Sequence, residues 1–135
     1  MVPNGYEEID HTADLALKVW GEDFYDLLEN AVAGMYDLMG IRETPGASVE
    51  NSFEIKRDPK ESILVDFLSE CLYLAEVEHQ RFADFKFNAT EKEIIVKVQG
   101  VGIESIDRNI KAVTFHNLEI KKTSDGLETL ITFDV

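Results

Sequence analysis

The sequence predicts an α+β fold: a two-layer sandwich in which two main helices pack on a mostly antiparallel sheet. Two stretches repeat apolar residues at helical spacing, and several shorter stretches alternate apolar and polar residues as strands do. The last predicted strands follow each other closely, as antiparallel hairpins require. The 135 residues are enough for one domain, and we expect a single domain over 1–135.

The first strand is predicted at 15–20, where side chains alternate, and Gly21 ends it. Asp23 is the expected N-cap of the first helix, because its side chain can accept a hydrogen bond from a free backbone N–H. Gly40 is its expected end, since glycine adopts the left-handed conformation easily. The apolar residues of this helix are Phe24, Leu27, Leu28, Ala31, Val32, Met35 and Leu38.

A loop is predicted at 42–48, because Pro45 and Gly46 lie within it and both residues interrupt regular structure. A second strand is predicted at 49–55, where apolar and polar residues alternate again.

The second helix has the clearest predicted start. Asp58 can cap it, Pro59 suits the first helical position, and Glu61 completes a capping box. We expect it to fray near Glu78 and His79. Its apolar stripe is Leu64, Phe67, Leu68, Cys71, Leu72 and Ala75.

The rest of the chain is predicted to be mainly strand. Two strands are expected at 82–87 and 94–98, and 118–135 is expected to form a hairpin around Ser124-Asp125-Gly126. The stretch 107–116 fits either a short helix or an irregular strand, and the pattern leaves both open.

The charge balance disfavours direct binding of nucleic acid. There are 13 Lys and Arg against 27 Asp and Glu, a formal net charge of −14, whereas nucleic-acid affinity rests largely on clustered basic residues. A basic protein partner or a bound cation fits better.

The chain has one cysteine, which excludes an intrachain disulfide and favours a reducing compartment. The first residues lack a basic and apolar leader, and no stretch is apolar enough for a membrane helix. We therefore expect a cytoplasmic protein without membrane contact. Cys71 lies on a helical apolar stripe, so we interpret it as a core residue rather than a nucleophile.

No common catalytic motif or phosphate loop is present, and His11, His79 and His116 lack the paired spacing of a zinc site. The cluster 10–14 (Asp-His-Thr-Ala-Asp) has two interpretations. Thr12 and Asp14 can close a turn by bonding to backbone amides.

Alternatively, the cluster can contribute to a site for a hard cation, which selects oxygen ligands. Asp14 alone is insufficient, but Asp134 and the α-carboxylate of Val135 could join it if the last strand lies beside the first. The simpler alternative for this terminus is a frayed, solvated end.

A third cluster lies at 111–117. Lys111 is one of few basic residues and is expected to be exposed, and His116 is of a type that titrates near neutral pH. Val113 and Phe115 are predicted to be core residues.

Acidic residues also gather around the first helix. They either form its solvated face or contribute to a docking surface for a basic partner. These residues are Glu22, Asp23, Asp26, Glu29 and Asp37.

Three segments together resemble the archease family over the whole chain. They are Ile-Asp-His-Thr-Ala-Asp at 9–14, Ile-Lys-Ala-Val-Thr-Phe-His at 110–116 and the terminal Phe-Asp-Val at 133–135. The chain departs from the family at Phe115, where a tyrosine is common. The resemblance implies an archease-like α+β fold.

The resemblance also implies an accessory protein rather than an enzyme. Archeases activate RtcB-type RNA ligases of tRNA splicing and RNA repair, promoting GTP-dependent guanylylation of the ligase histidine and multiple turnover. By position, Asp14, Asp134 and the Val135 carboxylate would bind a divalent cation, observed in the family as Ca²⁺. Oxygen ligands leave Mg²⁺ and Mn²⁺ open as well. Lys111, and with it His116, are candidates for activation.

Two other functions remain open from the sequence. The family has been proposed to act as a chaperone or specificity modulator of a tRNA methyltransferase. A metal-dependent phosphoesterase would use the same carboxylates, but the sequence offers neither a clear nucleophile nor a second metal site.

Overall fold

The fold is known from a computed structural model that describes residues 5–9 and 15–135. These ranges contain eight strands and two helices. In chain order they are β1 (Tyr6–Ile9), β2 (Leu15–Gly21), α1 (Phe24–Met39), β3 (Ile41–Lys56), α2 (Lys60–Glu76), β4 (Gln80–Ala89), β5 (Glu93–Ile106), β6 (Ala112–Thr114), β7 (Lys121–Thr123) and β8 (Gly126–Asp134).

The strands form two antiparallel sheets. The larger has the order β1-β2-β8-β6, with β7 also pairing with β8, and the smaller has the order β3-β5-β4. The α+β class with helices on antiparallel strands is as predicted, although the sequence did not indicate the division into two sheets. Strand β8 is central to the larger sheet, since it pairs with β2, β6 and β7.

Both predicted ends of α1 are confirmed. The Asp23 side chain accepts a hydrogen bond of 2.8 Å from the backbone N–H of Asp26. Gly40 has φ 62°, and its N–H donates to the carbonyl oxygens of Tyr36 and Asp37. These contacts satisfy backbone groups that the ends of a helix leave unpaired.

For α2, the predicted apolar stripe is confirmed, because all six of its residues are buried. The predicted cap is wrong. Pro59 occupies the N-cap position and no side chain caps the helix, because Asp58 lies one residue outside that position. The Glu61 carboxylate instead accepts a hydrogen bond of 3.0 Å from the N–H of Ile120. The helix ends at Glu76, shortly before the predicted fraying.

The loop predicted at 42–48 is also wrong, since β3 runs through it. Arg42 lies opposite Ser105 and Ser48 lies opposite Val101, so β5 supplies partners on both sides of the irregular stretch. Register shifts between these pairs accommodate the residues in between. Gly46 lies there with φ 76°, which a glycine adopts without strain. The strand predicted at 49–55 is confirmed within β3.

The later strands largely follow the prediction. The strand predicted at 82–87 is the central part of β4, and the one predicted at 94–98 is the first part of β5, which continues to Ile106. The terminal hairpin turns at Ser124–Asp125, between β7 and β8. The ambiguous stretch 107–116 contains only the short strand β6, and β1 was not predicted.

The core lies between the helices and the sheets. Cys71 is fully buried there, as expected, and burial raises the pKa of its thiol. Val113 is buried, but the prediction for Phe115 is wrong, since its side chain is 57% exposed. Strand β6 ends at Thr114, so the alternation of the strand does not extend to residue 115. Neither helix of the described ranges is long and apolar enough to cross a membrane.

Candidate functional site

The first candidate cluster, 10–14, lies outside the described residues. It includes His11 and the predicted metal ligand Asp14. The cation site and the simple turn therefore both stay predictions for this segment.

Asp134 and Val135 lie at the exposed end of the central strand. Asp134 is the last residue of β8 and lies opposite Ala112 of β6. Its neighbour Phe133 is fully buried and pairs with Leu15 of β2. A buried anchor thus holds the strand end in place, while both carboxylate-bearing residues after it are exposed.

The Lys111 segment is joined to this strand end. The backbone N–H of Lys111 donates a hydrogen bond of 2.7 Å to the carbonyl oxygen of Asp134. The preceding Ile110 is buried, and its N–H donates at 3.0 Å to the Glu76 carboxylate of α2. These contacts fix the backbone while leaving Lys111 exposed, as predicted. The structure therefore brings Lys111 and Asp134 together.

His116 lies in the turn after β6. Its backbone N–H donates at 3.3 Å to the hydroxyl of Thr114, and its Nε2 lies 3.2 Å from Nδ2 of Asn117. The side chain is exposed. Among the described residues, no hydrogen bond or ion pair joins His116 to Lys111 or Asp134. The structure thus connects Lys111, but not His116, to the strand end.

The carboxylates at the end of β8 are the type of ligand that a hard cation prefers, but Asp134 and Val135 alone are too few to hold one. Carboxylate oxygens are the ligands that Ca²⁺, Mg²⁺ and Mn²⁺ prefer. Within residues 5–9 and 15–135, no group of three or more His, Cys, Asp and Glu side chains could hold a metal ion. A site built on Asp134 and Val135 needs at least one further ligand, and the predicted one, Asp14, is outside the described part.

The acidic residues around α1 are partly used by the fold itself. Three of them accept hydrogen bonds: Asp23 from the N–H of Asp26, Asp26 from the N–H of Glu22, and Asp37 from the hydroxyl of Tyr6. Burial raises the pKa of Glu29, and the negative charges of Asp26, Asp23 and Asp84 raise it further. The hydrogen bonds that Asp23, Asp26 and Asp37 accept favour a structural role for these three residues.

Two exposed apolar residues beside Lys111 were not singled out from the sequence. Tyr73 and Val77 are 52% and 54% exposed, and both line a groove together with Lys111. Their absence from the predicted buried stripe of α2 was the available signal, but it was not sufficient, because Ile63, Val65 and Leu74 also lie outside that stripe and are buried.

Comparison with known proteins identifies the family. The pattern of the Archease protein family matches residues 6–135. The chain belongs to the archease family. "Protein archease" of Methanosarcina barkeri is 36% identical over 96% of this chain and 95% of its own length. "Protein archease" of Methanosarcina mazei is 32% identical over the same shares.

A solved archease has the same fold. A crystal structure from Thermotoga maritima, described as "an archease, possible chaperone", superposes with a TM-score of 0.70. The two chains are 24% identical, and the match covers 96% of each. This likeness confirms the predicted archease-like fold.

Proposed function

We propose that this archease is an accessory activator of an RtcB-type RNA ligase and promotes guanylylation of the ligase histidine by GTP. It would do so without a catalytic cycle of its own, through a divalent cation held by Asp14, Asp134 and the Val135 carboxylate. Membership of the archease family supports this proposal. The observation that carries it is the exposed carboxylate end of β8, joined to Lys111 by a backbone hydrogen bond.

The register of the sheet supports the choice of Asp14 as the further ligand. Leu15 pairs with Phe133 in an antiparallel ladder. The proposal requires that register to continue by one residue, which pairs Asp14 with Asp134. Cα atoms of paired residues are about 4.5–5.5 Å apart, a separation at which two carboxylates can share one cation.

Each residue has a distinct part in this proposal. Bound at this end, a divalent cation would supply positive charge where phosphate charge develops during nucleotide transfer. Asp134 and Val135 would hold the cation at an exposed surface that a partner can reach. Lys111, fixed through its backbone to Asp134, would direct its ammonium group toward a phosphate or carboxylate of the ligase.

The charge of the chain fits a role that acts on an RNA enzyme without holding RNA. A net charge of −14 repels phosphate backbones but favours approach to a basic protein surface. The ligase is proposed as the partner because of the family to which the chain belongs, and the charge is compatible with that partner. We do not propose direct RNA contact.

The test is single-turnover formation of the ligase–GMP adduct, with the cognate ligase, GTP and Mn²⁺ or Mg²⁺. We expect substoichiometric wild-type protein to accelerate the adduct, and Asp14→Ala and Asp134→Asn to lose that acceleration. Asp125→Asn is the matched control, because Asp125 is an exposed aspartate in the β7–β8 turn. No acceleration by wild type with an active ligase, or full acceleration by Asp14→Ala, would refute the proposal.

The terminal carboxylate permits a second test. Residues added after Val135 convert its carboxylate into an amide, which removes one anionic ligand. We expect a C-terminal extension to weaken binding of Ca²⁺ or Mn²⁺, measured by calorimetry, whereas an N-terminal extension of equal length should not. Equal affinities for the two extended proteins would exclude Val135 as a ligand.

A second candidate function is a chaperone or specificity modulator of a tRNA methyltransferase. Its support is the description of the Thermotoga maritima relative as a possible chaperone, together with the exposed Tyr73 and Val77. It predicts that the protein protects a methyltransferase from aggregation in a light-scattering assay and that Asp134→Asn protects equally well. Loss of protection in Asp134→Asn would count against it.

A further inference from the structure

The groove between α2 and β6 has an apolar centre that residues 5–9 and 15–135 leave uncovered. Tyr73 lies in the last turn of α2, and Val77 is the C-cap residue directly after the helix, where its N–H donates a hydrogen bond of 2.8 Å to the carbonyl oxygen of Tyr73. Because the two residues are four apart and Val77 keeps a helical backbone, their side chains are neighbours. More than half of each side chain is exposed. Aromatic residues of this kind are frequent anchors of protein interfaces.

The groove has a defined second wall. Its volume is about 290 Å³, and Lys111, Ala112 and Val113 line it on the side opposite α2. Within the described part of the larger sheet, β6 lies at one edge. Backbone groups along such an edge are available to pair with another chain.

The exposed face of α2 that carries Tyr73 is acidic. Asp66 and Glu70 are exposed seven and three residues before Tyr73, a spacing that places them on the same side of the helix. Glu78 is exposed just after the helix, and the last turn of α2 carries no basic residue, while Lys111 lies across the groove. Glu76 also lines the groove, with its carboxylate bonded to the N–H of Ile110. An apolar centre beside an acidic helix face complements a segment that carries an apolar anchor flanked by lysines or arginines. A second copy of this chain, itself at −14, would be repelled.

The groove also adjoins the candidate cation site. Lys111 lines the groove, and its backbone N–H donates a hydrogen bond to the carbonyl oxygen of Asp134. A partner whose reacting groups reach the end of β8 would therefore bring its surface onto Tyr73 and Val77.

We propose that the α2–β6 groove binds a basic segment of the RNA ligase and inserts an apolar anchor of that segment against Tyr73 and Val77. This inference rests on the proposed function, since it names the surface through which that function would be exerted. The groove provides affinity and orientation, and the carboxylate end of β8 provides the effect on nucleotide transfer. The two contributions can be separated by experiment.

The experiment measures binding of full-length variants to the cognate ligase and, separately, adduct formation at saturating protein. Tyr73→Glu and Val77→Glu place a charge in the apolar centre, and Leu130→Glu is the matched control. Leu130 is 43% exposed and lies on the sheet face opposite that of the buried Ile131. All three positions are exposed, so the variants should fold, which circular dichroism checks.

We expect each groove variant to raise the Kd for the ligase by roughly tenfold or more, with Leu130→Glu within about twofold of wild type. At saturating concentration, the groove variants should accelerate adduct formation as wild type does, whereas Asp134→Asn should not. Glu70→Lys should weaken binding at low salt and lose that effect at high salt.

Two results would overturn the inference, and they are distinguishable. If wild type binds and accelerates the ligase while Tyr73→Glu and Val77→Glu bind with unchanged Kd, the groove is not the docking surface and the proposed function stands. If wild type neither binds nor accelerates an active ligase, the proposed function fails and this inference fails with it.

Discussion

The contrasting starts of the two helices make a sharp prediction about stability. The Asp23 side chain accepts a hydrogen bond of 2.8 Å from the N–H of Asp26 at the start of α1. At the start of α2, neither Asp58 nor any other side chain of the described residues accepts such a bond. Losing an N-cap acceptor costs about 1 kcal/mol. For 135 residues, an unfolding entropy of about 2.1 cal/mol/K per residue converts that loss into about 3–4 °C in Tm. We therefore expect Asp23→Ala to lower the Tm by this amount and Asp58→Ala to change it by less than about 1 °C.

The assay is thermal unfolding followed by circular dichroism, with chemical denaturation as a second measure of the free energy of unfolding. Asp23→Asn is the control, because it keeps an oxygen acceptor while removing the negative charge of the cap. It should retain most of the stability. Equal losses in Asp23→Ala and Asp58→Ala, or a larger loss in the latter, would refute the cap assignment.

Three further predictions concern other parts of the fold. Burial, followed by the hydrogen bond to Asp37, raises the pKa of the Tyr6 hydroxyl to about 12. Since the same hydroxyl ionises near pH 10 in the unfolded chain, the free energy of unfolding should fall between pH 10 and 12. Denaturant titrations across this range should show a shallower fall for Tyr6→Phe. Cys71 is fully buried with a raised pKa, so a thiol reagent should label it only after unfolding, and rapid labelling of the native protein would contradict this. A Cβ at Gly100 would overlap the carbonyl oxygen of Arg81. Gly100→Ala should therefore lower the free energy of unfolding, measured in urea, by on the order of 3 kcal/mol. A loss under about 1 kcal/mol would show that a small shift of the strand removes the overlap.

Local signals predicted the helices well because those signals act within one turn. The positions of Asp23 and Gly40 relative to the apolar stripe of α1 were sufficient to predict both ends of that helix. The same reasoning failed at Asp58, where a shift of one residue in the helix start removed the capping geometry and freed Glu61 to bond to Ile120. That bond depends on a distant segment, which no local pattern contains.

The strand errors have a tertiary origin. Pro45 and Gly46 signal a loop, but β5 pairs with β3 on both sides of them, so the strand continues through a register shift. Strand β1 escaped prediction because it is four residues long and its two central residues are exposed glutamates. A partner far along the chain determines the course of β3, whereas β1 pairs with the nearby β2 and lacked only a local pattern of alternation.

The candidate site was predictable only in part. The exposure of Lys111 followed from composition, but its bond to Asp134 joins two segments that only the folded sheet brings together. The exposure of Phe115 depends on where β6 ends. The sequence around β6 is too short and too mixed in polarity to predict that end.

The central position of β8 bears on the order of folding. The β4–β5 hairpin closes a short loop, whereas the β2–β8 ladder joins residues near opposite ends of the described chain. Closing a long loop costs more conformational entropy, so such contacts tend to form late and slowly. A chain that has formed only its local hairpins and helices would therefore lack the β2–β8 ladder, whereas the hydrogen bond from Lys111 to Asp134 joins segments much nearer in the chain. During refolding, the amides of β2 that bond to β8 should gain protection from hydrogen exchange after the Lys111 amide, which makes them kinetic markers for completion of the larger sheet.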